Sequence, residues 1–518
     1  MVPVICCVAL MMLHTSKINK EWHKVEKRAV RVRAFVSRLR ESPEMTEDTM
    51  LQGVLEDVRE THQRAQALVQ DYRQRSCSMC RYCEARKLTK RLRRAHQDIL
   101  CDVMRAILAT NAIVFISPPA VDHKSCPYLG LFLPTNDNAS AGADAAAAVS
   151  SDPDCSCCPC WRPHVHDQVI SLNRLVEGEK ELAGITGEPS LLFPGLTKFS
   201  LSELEAATDG FSEEKIIGRG GSGSIVFKGV LDDKLIVAIK KFQDPAESLV
   251  ACICNELHLA SELHHRVEDN NIIRILGYGH KVIRKHDLVE TSIFLVREFM
   301  VKGKMDTIIY GSPHDDWSSR FRIIKGIAYG IDYLHGQGIS HLDLKPTNIL
   351  FDSDMNPKIT GFGRGRKLNK TSTEDDSITG TIGYMPPEYI LDGTISTKYD
   401  VYSFGVILLE TISGMCRPES APHKASVEWA WEAHEAGRRM GDLLDQSLCR
   451  KEGQLEEVRR CLKIGLLCAQ EKPADRPAML GVRLMLRGDD KTTKPTRPEY
   501  TKSRHPHPRH DGVFSCCF

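Results

Sequence analysis

The 518-residue sequence contains no run of 18 uninterrupted apolar residues, and it therefore predicts no membrane-spanning helix. Val2–Leu13 is apolar but short, and no basic residues precede it, which argues against a secretory signal peptide. Residue 2 is Val2 rather than glycine, so N-myristoylation is not expected. The last four residues, Ser515–Phe518, lack a cysteine at the position that prenylation requires.

The sequence also lacks the two well-separated C-x-x-C units of a typical zinc site, although it contains 19 cysteines. Cysteines cluster in Cys77–Cys83 and in Cys155–Cys160, and two histidines follow the second cluster, which leaves a metal site open. Without an export signal, reduced thiols in a cytoplasmic protein are expected rather than disulfides. The terminal pairs Cys6-Cys7 and Cys516-Cys517 leave acylation as an alternative to inert thiols.

Net charge is close to zero overall, at +1, but it is unevenly distributed. Residues 1–110 contain 21 Lys/Arg and 13 Asp/Glu, a balance of +8, so the remainder of the chain carries about −7. The basic N-terminal region suggests an acidic partner, such as an anionic membrane surface or another protein. A solvated helix face is the alternative, and no nucleic acid partner is expected.

Three helical patterns fill the N-terminal region, and short connections between them predict an antiparallel bundle over residues 1–115. The apolar positions recur at spacings of three and four, and in the first helix they are Trp22, Val25, Ala29, Val32, Val36 and Leu39. The second pattern spans Leu51–Tyr72 and the third Leu88–Ile107, with a Cys/Arg-rich turn predicted at Cys77–Arg94. Residues 116–198 show no sustained periodicity and predict a Cys-containing flexible linker.

The pattern changes at Phe199, where Ser202 followed by Glu205 predicts the cap of a short helix. Ile217–Gly229 then reads I-G-R-G-G-S-G-S-I-V-F-K-G, in which three glycines satisfy G-x-G-x-x-G. Glycines allow backbone amides to approach phosphates without Cβ clashes. A strand with Ala238-Ile239-Lys240 follows, and Glu256 lies sixteen residues after its lysine.

Two further motifs stand in the second half of the chain. Ser340–Asn348 reads S-H-L-D-L-K-P-T-N, and Lys358–Gly363 reads K-I-T-G-F-G. These motifs, in this order, resemble the motifs of protein kinases. The segment from Phe199 resembles the one that leads into the kinase domain of plant receptor-like Ser/Thr kinases. The N-terminal helices are weakly similar to those preceding plant mixed-lineage-kinase-like domains.

The resemblance implies an α+β, two-lobed protein-kinase fold over residues 199–490, preceded by an all-α helical bundle. Residues 491–518 form a basic tail that is predicted to be disordered. The implied ligands are ATP, Mg²⁺ and a protein substrate or signalling partner. The implied location is cytoplasmic, with peripheral association at the plasma membrane through the bundle.

The resemblance also implies the roles of individual residues. Asp343 accepts the substrate hydroxyl proton, Lys345 reaches the transferred phosphate, and Asn348 holds the metal ion. The residues implied in nucleotide binding are Gly218, Gly220, Gly223, Val226, Lys240, Glu256, Glu298, Met300 and Asn348. One extra residue after Gly223 leaves open whether Ile225 or Val226 covers the adenine. Glu388 and Arg476 are expected to form a buried ion pair, and Asp400 to brace the catalytic loop.

Three departures from the family pattern define two functional hypotheses. Gly361 replaces the metal-binding aspartate of D-F-G, and Leu342 replaces the arginine of H-R-D. Arg297 occupies the position that guards the back of the nucleotide pocket, where it turns toward Glu256 or toward the phosphates. The first hypothesis is an ATP-binding Ser/Thr kinase relative with impaired phosphotransfer and weak or lost Mg²⁺ binding. The alternative is an inactive pseudokinase switch or scaffold whose bundle acts on a membrane or partner.

Overall fold

The computed structural model of the chain describes residues 2–40, 49–74, 78–110, 115–116 and 193–501. Within the last range, its description excludes residues 221–222, 233, 246, 265–270, 286–287, 308–315, 369–371, 376–377, 414–425, 438–451 and 490–492. The chain folds into two compact units. We call them the helical unit (within 1–117, 306–346 and 367–518) and the sheet unit (within 118–305 and 347–366).

The described elements combine helices with a mixed sheet, as the predicted α+β class requires. The helices are α1 Val2–Arg40, α2 Thr49–Gln74, α3 Ser78–Thr110, α4 Leu201–Ala207, α5 Glu247–His264, α6 Trp317–Gly336, α7 Pro387–Asp392, α8 Lys398–Ser413, α9 Ser426–Ala436, α10 Glu452–Cys468 and α11 Met479–Arg487. The strands are β1 Phe115–Ile116, β2 Thr197–Lys198, β3 Ile216–Arg219, β4 Ile225–Val230, β5 Ile236–Gln243, β6 Ile275–Lys285, β7 Leu288–Glu298, β8 Ile339–Ser340, β9 Ile349–Phe351, β10 Pro357–Ile359, β11 Arg366–Lys367, β12 Thr373–Glu374, β13 Gly380–Thr381 and β14 Thr394–Ile395. No helix in the described part of the chain combines the length and apolarity needed to cross a bilayer.

The helical unit begins with α1, α2 and α3, which pack against one another. Within the predicted stripe on α1, Val25, Ala29, Val32 and Val36 are buried, and Trp22 is partly buried. The turn predicted at Cys77–Arg94 is wrong, because α3 begins at Ser78 and continues through this stretch. Its cysteines and arginines obscured a helical spacing of apolar residues that extends upstream from Leu88 to Ala85.

One apolar cluster joins the three N-terminal helices to the rest of the helical unit. It contains α1, α2 and α3 residues together with Leu342, the 378–395 region and Tyr500. The burial of Tyr500, which is 2% exposed, extends the described fold beyond the predicted boundary at residue 490. Residues 117–192 and 502–518, which include most of the predicted linker and tail, lie outside the described residues.

The sheet unit is built on a six-stranded sheet of order β2-β6-β7-β5-β4-β3. Buried Phe193 precedes the first of these strands and lies before residue 199, where the kinase-like region was predicted to begin. Helix α4 begins with a capping box formed by Ser200 and Glu203, two residues before the predicted pair Ser202 and Glu205. Ser200 is the N-cap because its hydroxyl accepts from the Glu203 amide while the Glu203 carboxylate accepts from the Ser200 amide.

Candidate functional site

The predicted catalytic residues Asp343 and Lys345 lie in the helical unit, just after β8. The Lys345 Nζ lies 3.1 Å from one Asp343 carboxylate oxygen and donates a 2.8 Å hydrogen bond to the Thr381 hydroxyl. That hydroxyl donates to the other Asp343 oxygen, also at 2.8 Å. The three side chains form a closed triangle, which fixes the orientation of the carboxylate beside the ammonium group.

Sequence reasoning missed Thr381 as part of this group. Its signal was available, since Thr381 stands in the G-T-I-G-Y stretch that follows the predicted activation segment. Its side chain is buried, and no periodicity argument links it to a residue 38 positions earlier in the chain. The contact depends on the tertiary fold alone.

A buried carboxylate, Asp400 on α8, holds the backbone that precedes Asp343. Asp400 accepts hydrogen bonds from the His341 and Leu342 amides at 2.8 and 2.9 Å and contacts the His335 ring at 2.9 Å. Burial alone would raise the pKa of Asp400, but His335 and these hydrogen bonds lower it below its ordinary value. The predicted bracing role of Asp400 is therefore confirmed.

The predicted ion pair between Glu388 and Arg476 is also confirmed. The Arg476 guanidinium donates two 2.7 Å hydrogen bonds to the two Glu388 carboxylate oxygens, and both side chains are buried. Three backbone carbonyls, including that of Lys398, accept its remaining donors. A bidentate, fully hydrogen-bonded pair of this kind anchors the segment that starts α7.

In the sheet unit, strand register places Val226, Lys240 and Arg297 on one face, whereas Glu298 pairs with Val237 and belongs to the other. Val226 of β4 lies opposite Lys240 of β5, and Ala238 of β5 lies opposite Arg297 of β7. Directly opposed residues of antiparallel strands present their side chains on the same face. Ile225 pairs with Lys241 and belongs to the other face, so the register favours Val226 over Ile225 as the adenine-covering residue.

The glycine-rich loop begins where β3 ends, with Gly218 in the strand and Gly220 just after it. The Gly220 amide donates a 2.8 Å hydrogen bond to the Ser224 carbonyl. A Cβ on Gly220 would lie 2.5 Å from the Ser224 hydroxyl and 3.6 Å from Lys240 Cε, so only glycine fits here. Gly223 has φ +70°, the left-handed region that glycine adopts without strain. Lys240 therefore lies close to Gly220 at the start of the glycine-rich loop.

At the end of β7, Glu298 uses its own groups to fix the connection that follows. Its carboxylate lies 3.1 Å from the Lys358 Nζ and accepts from the Arg274 amide, while its amide donates to the Arg274 carbonyl. Met300 lies two residues beyond the end of this strand.

Helix α5 carries Glu256 and packs against the turn at Phe362–Arg364. The amide of Asn255 secures this packing by donating to the carbonyls of Gly363 and Gly365 at 3.1 and 2.8 Å. Glu256 is buried, and its charge stabilises the protonated form of Arg297. This geometry brings α5 to the glycine that replaces the metal-binding aspartate.

The sequence left open whether Arg297 turns toward Glu256 or toward the phosphates. In the structure it is buried, hydrogen-bonded to Thr360 and influenced by the charge of Glu256. Its Nη1 donates a 2.9 Å hydrogen bond to the Thr360 hydroxyl, immediately before Gly361. Its Nε has no hydrogen-bond partner among the described residues. Burial lowers the pKa of Arg297 while the charge of Glu256 opposes that effect. Arg297 thus places a buried positive charge beside the D-F-G-like turn.

Gly361 itself has φ +86° and ψ +45°, a left-handed conformation. A Cβ at this position would lie 2.9 Å from Cγ, Nδ2 and Oδ1 of Asn348, so the Asn348 amide fills the space where an aspartate side chain would begin. Mg²⁺ requires oxygen ligands, normally with one or two carboxylates. Among the described residues of the sheet unit, Asn348 provides an amide oxygen here and Gly361 provides nothing. This pair fits Mg²⁺ poorly.

The glycine-rich loop with its strand lysine in the sheet unit, and the aspartate triangle in the helical unit, are each typical of protein kinases. A comparison with protein families agrees, since the protein kinase domain model matches residues 211–477. The chain belongs to the protein kinase family, and the α+β kinase fold predicted from the sequence is confirmed.

Its curated relatives are plant receptor-like Ser/Thr kinases. G-type lectin S-receptor-like serine/threonine-protein kinase At1g61500 of Arabidopsis thaliana is 39% identical over 318 residues, which cover 59% of this chain and 38% of the relative. The similar kinase B120 of the same plant is 35% identical over 359 residues, covering 65% and 40%. Cysteine-rich receptor-like protein kinase 6 of Oryza sativa subsp. japonica is 35% identical over 337 residues, covering 60% and 46%. The chain thus spans less than half the length of these relatives.

Proposed function

We propose that this chain is an ATP-binding signalling protein of the plant receptor-like Ser/Thr kinase family with impaired phosphotransfer and little use of Mg²⁺. The observation that carries the proposal is Gly361, whose missing side chain leaves the metal without a carboxylate and whose space is filled by Asn348. Losing a direct metal ligand removes several kcal/mol of transition-state stabilisation, about a thousandfold or more in rate.

Nucleotide binding is retained in this proposal because the chain keeps the residues that the kinase family uses to hold phosphates and adenine. Lys240 lies close to Gly220 of the glycine-rich loop, and Val226 and Ala238 offer an apolar surface on the same face of the sheet. Arg297 adds a buried positive charge next to Gly361. ATP binding would then depend on side-chain cations and backbone amides more than on a metal ion.

The residual chemistry rests on Asp343, Lys345 and Thr381. Their closed triangle positions a carboxylate for the substrate hydroxyl proton and an ammonium group for the transferred phosphate. Phosphoryl transfer consists mainly of positioning and charge neutralisation, so a chain that keeps this triangle and loses a metal ligand is slow rather than incapable.

The proposal is tested with the whole chain, because the N-terminal helices share an apolar cluster with the helical unit and a truncation at residue 199 would expose it. Thermal melts are measured with ATP alone and with ATP plus Mg²⁺, beside a Lys240→Met control. ATP is expected to raise the melting temperature of the unaltered chain, and Mg²⁺ is expected to add little. Transfer of γ-phosphate is measured beside Asp343→Ala and is expected to exceed that background only slightly.

Two results would contradict the proposal. Suppose that Mg²⁺ greatly increases the rise in melting temperature caused by ATP. Asn348 and the phosphates would then hold the ion without the carboxylate that Gly361 lacks. A transfer rate equal to that of ordinary kinases, about 1–100 s⁻¹, would mean that Gly361 does not impair the reaction.

A second candidate function is an inactive switch whose N-terminal helices act at the cytoplasmic face of the plasma membrane or on a protein partner. The supporting observation is a set of exposed basic side chains on α1 and α3, namely Lys17, Lys20, Lys24, Lys90, Arg91 and Arg94. Such clusters attract anionic lipid, and the attraction weakens with salt. Binding of the chain to anionic vesicles at low salt, absent for neutral vesicles, would support this candidate. Equal binding to both would indicate apolar insertion, and absence of binding would leave a protein partner.

A further inference from the structure

Helix α1 places three cations, Lys27, Arg28 and Arg31, against a stretch that comes after the catalytic loop in the chain. We call residues 373–395, of which 376–377 are not described, the docking segment. It contains β12, β13, α7 and β14, and β12 pairs with β14 to close it into a compact loop. All of these residues and α1 belong to the helical unit.

Arg31 makes the most buried of these contacts. Its Nη1 donates a 2.7 Å hydrogen bond to the Asp375 carbonyl, and its Nη2 donates a 3.1 Å bond to the Tyr389 carbonyl. The guanidinium comes so close to Gly393 that a Cβ there would lie 2.9 Å from Nη1. Arg31 is only 7% exposed, although it lies 344 residues before Asp375 in the chain. A buried arginine is stable only when hydrogen-bond acceptors replace water, and here two backbone carbonyls of the docking segment accept from its Nη atoms.

Arg28, one turn earlier on α1, binds the other end of α7. Its Nε and Nη2 each donate a 2.8 Å hydrogen bond to the Asp392 carboxylate, and its Nη1 donates to the His96 carbonyl on α3. Burial would raise the pKa of Asp392, but the Arg28 guanidinium lowers it below its ordinary value. Lys27 also contacts Glu374 at 2.8 Å, but that pair is exposed and contributes little.

A chain of hydrogen bonds connects Arg31 to the catalytic triangle. Arg31 holds the backbone of Tyr389, and the hydroxyl of Tyr389 interacts with the Thr379 amide and carbonyl at 3.1 and 3.2 Å. Two residues later, the Thr381 hydroxyl donates to Asp343. Arg31 is therefore linked, through Tyr389 and residues 379–381, to the Thr381 hydroxyl that bonds Asp343, the proposed general base.

The backbone after α3 adds a second connection to the same place. Strand β1 pairs antiparallel with β13, with Phe115 opposite Thr381 and Ile116 opposite Gly380. The N-terminal region thus holds the docking segment at both ends of α7 and at the strand that contains Thr381.

Leu342 indicates why the docking segment needs another source of positive charge. In kinases with H-R-D, the arginine at this position answers a phosphorylated activation loop, whereas Leu342 is an apolar residue that is 5% exposed and belongs to the shared cluster. We propose that Arg28 and Arg31 are positioning residues that hold the docking segment in cis, in place of the absent arginine and without phosphorylation. This inference does not depend on whether the chain transfers phosphate.

The test is amide hydrogen exchange on the full chain for Arg31→Met and Arg28→Met. Methionine keeps much of the side-chain length and apolar stem but removes the donors. Amides of the docking segment, including Thr379 and Asp375, are expected to exchange about tenfold faster or more, since each variant removes charge-assisted bonds. Amides in α8 and in α2 serve as references and are expected to change little, and ATP affinity is expected to stay the same.

Arg33→Met is the matched control, because Arg33 lies on the same helix but is exposed, and its Nε donates to the Ala29 carbonyl of α1 itself. A charge exchange, Arg28→Asp with Asp392→Arg, is expected to recover protection that either single substitution loses. The proposal is overturned if docking-segment exchange stays at the wild-type rate in both arginine variants. It is equally overturned if α2 and α8 lose protection to the same extent, if Arg33→Met has the same effect, or if the charge exchange recovers nothing.

Discussion

The substitution Gly361→Asp restores the carboxylate that the kinase family places in the D-F-G turn. The backbone at this position is left-handed, a conformation that aspartate and asparagine tolerate better than other side chains. The new Cβ would lie 2.9 Å from the Asn348 amide, so Asn348 must rotate away before both side chains share one metal ion. Moving that amide also frees its oxygen to become the second ligand.

The expected gain in transition-state stabilisation is larger than the expected loss of folding stability. Left-handed backbone costs a non-glycine residue about 1–2 kcal/mol of folding stability. Recovering a direct metal ligand contributes about 4 kcal/mol to the transition state, which corresponds to a rate increase of about a thousandfold. Gly361→Asp should therefore be slightly less stable than the unaltered chain, faster in phosphotransfer and dependent on Mg²⁺.

The assay measures γ-phosphate transfer by the full chain at several Mg²⁺ concentrations. Gly361→Asn is the matched control, because it has the same backbone conformation and nearly the same shape without the charge. Asp343→Ala gives the background. A double variant, Gly361→Asp with Arg297→Tyr, tests whether the buried cation beside the turn opposes metal binding.

Three results would refute the reasoning. Equal rates for Gly361→Asp and Gly361→Asn would show that the carboxylate is not what the site lacks. If neither Gly361→Asp nor the double variant exceeds the Asp343→Ala background, the chain has lost more than one ligand and functions as a scaffold. If the unaltered chain already matches ordinary kinases, the absent carboxylate is not needed.

Two other predictions concern stability. Burial and then the Arg28 charge lower the pKa of His96 to about 4, against a weaker opposing effect of Asp392. The unfolded chain therefore binds a proton at His96 below about pH 6.5 that the fold excludes, so stability should fall between pH 6.5 and 4, and His96→Gln should flatten this decline in thermal melts. An unchanged decline would show that other groups control it. Arg476→Met leaves Glu388 buried without its partner and should cost about 3–5 kcal/mol in denaturant unfolding, whereas a wild-type midpoint would mean that the pair is not an anchor.

The sequence predicted well those features that depend on local chemistry. The glycine loop, the strand with Lys240 and the catalytic loop with Asp343 are contiguous motifs, so their positions follow from the chain itself. The stripe on α1 was also predictable, because a helix that buries one face, as α1 buries Val25 and Ala29, repeats apolar residues at spacings of three and four.

Distant contacts could be predicted only where the family resemblance implied them, as for the Glu388–Arg476 ion pair, and not from the residues alone. The orientation of Arg297 is decided by Thr360, 63 residues later. The burial of Arg31 depends on carbonyls more than 340 residues away, and a basic helix read alone resembles a solvated or lipid-binding surface. Hydrophobic periodicity reveals which face of a helix is buried, but it does not reveal which part of the protein covers that face.

The substitution Leu342→Arg tests whether the positive charge has moved from the catalytic loop to α1. Leu342 lies in an apolar cluster with α1, α2 and α3 residues, and its amide is fixed by Asp400, so an arginine there would start from a buried position. If Arg28 and Arg31 already satisfy the docking segment, the new cation finds no free acceptor and costs about 3 kcal/mol or more.

For a unit of this size, such a cost corresponds to a fall of about 6–12 °C in melting temperature. Leu342→Met, which conserves volume, should cost less than about 1.5 kcal/mol and serves as the control. Leu342→Arg should also weaken the protection of the docking segment, because the shared cluster must open to admit the guanidinium. If Leu342→Arg is as stable as the control, the docking segment contains an acceptor for the new guanidinium. Arg28 and Arg31 would then not take the place of the family's arginine, and the proposed replacement would be wrong.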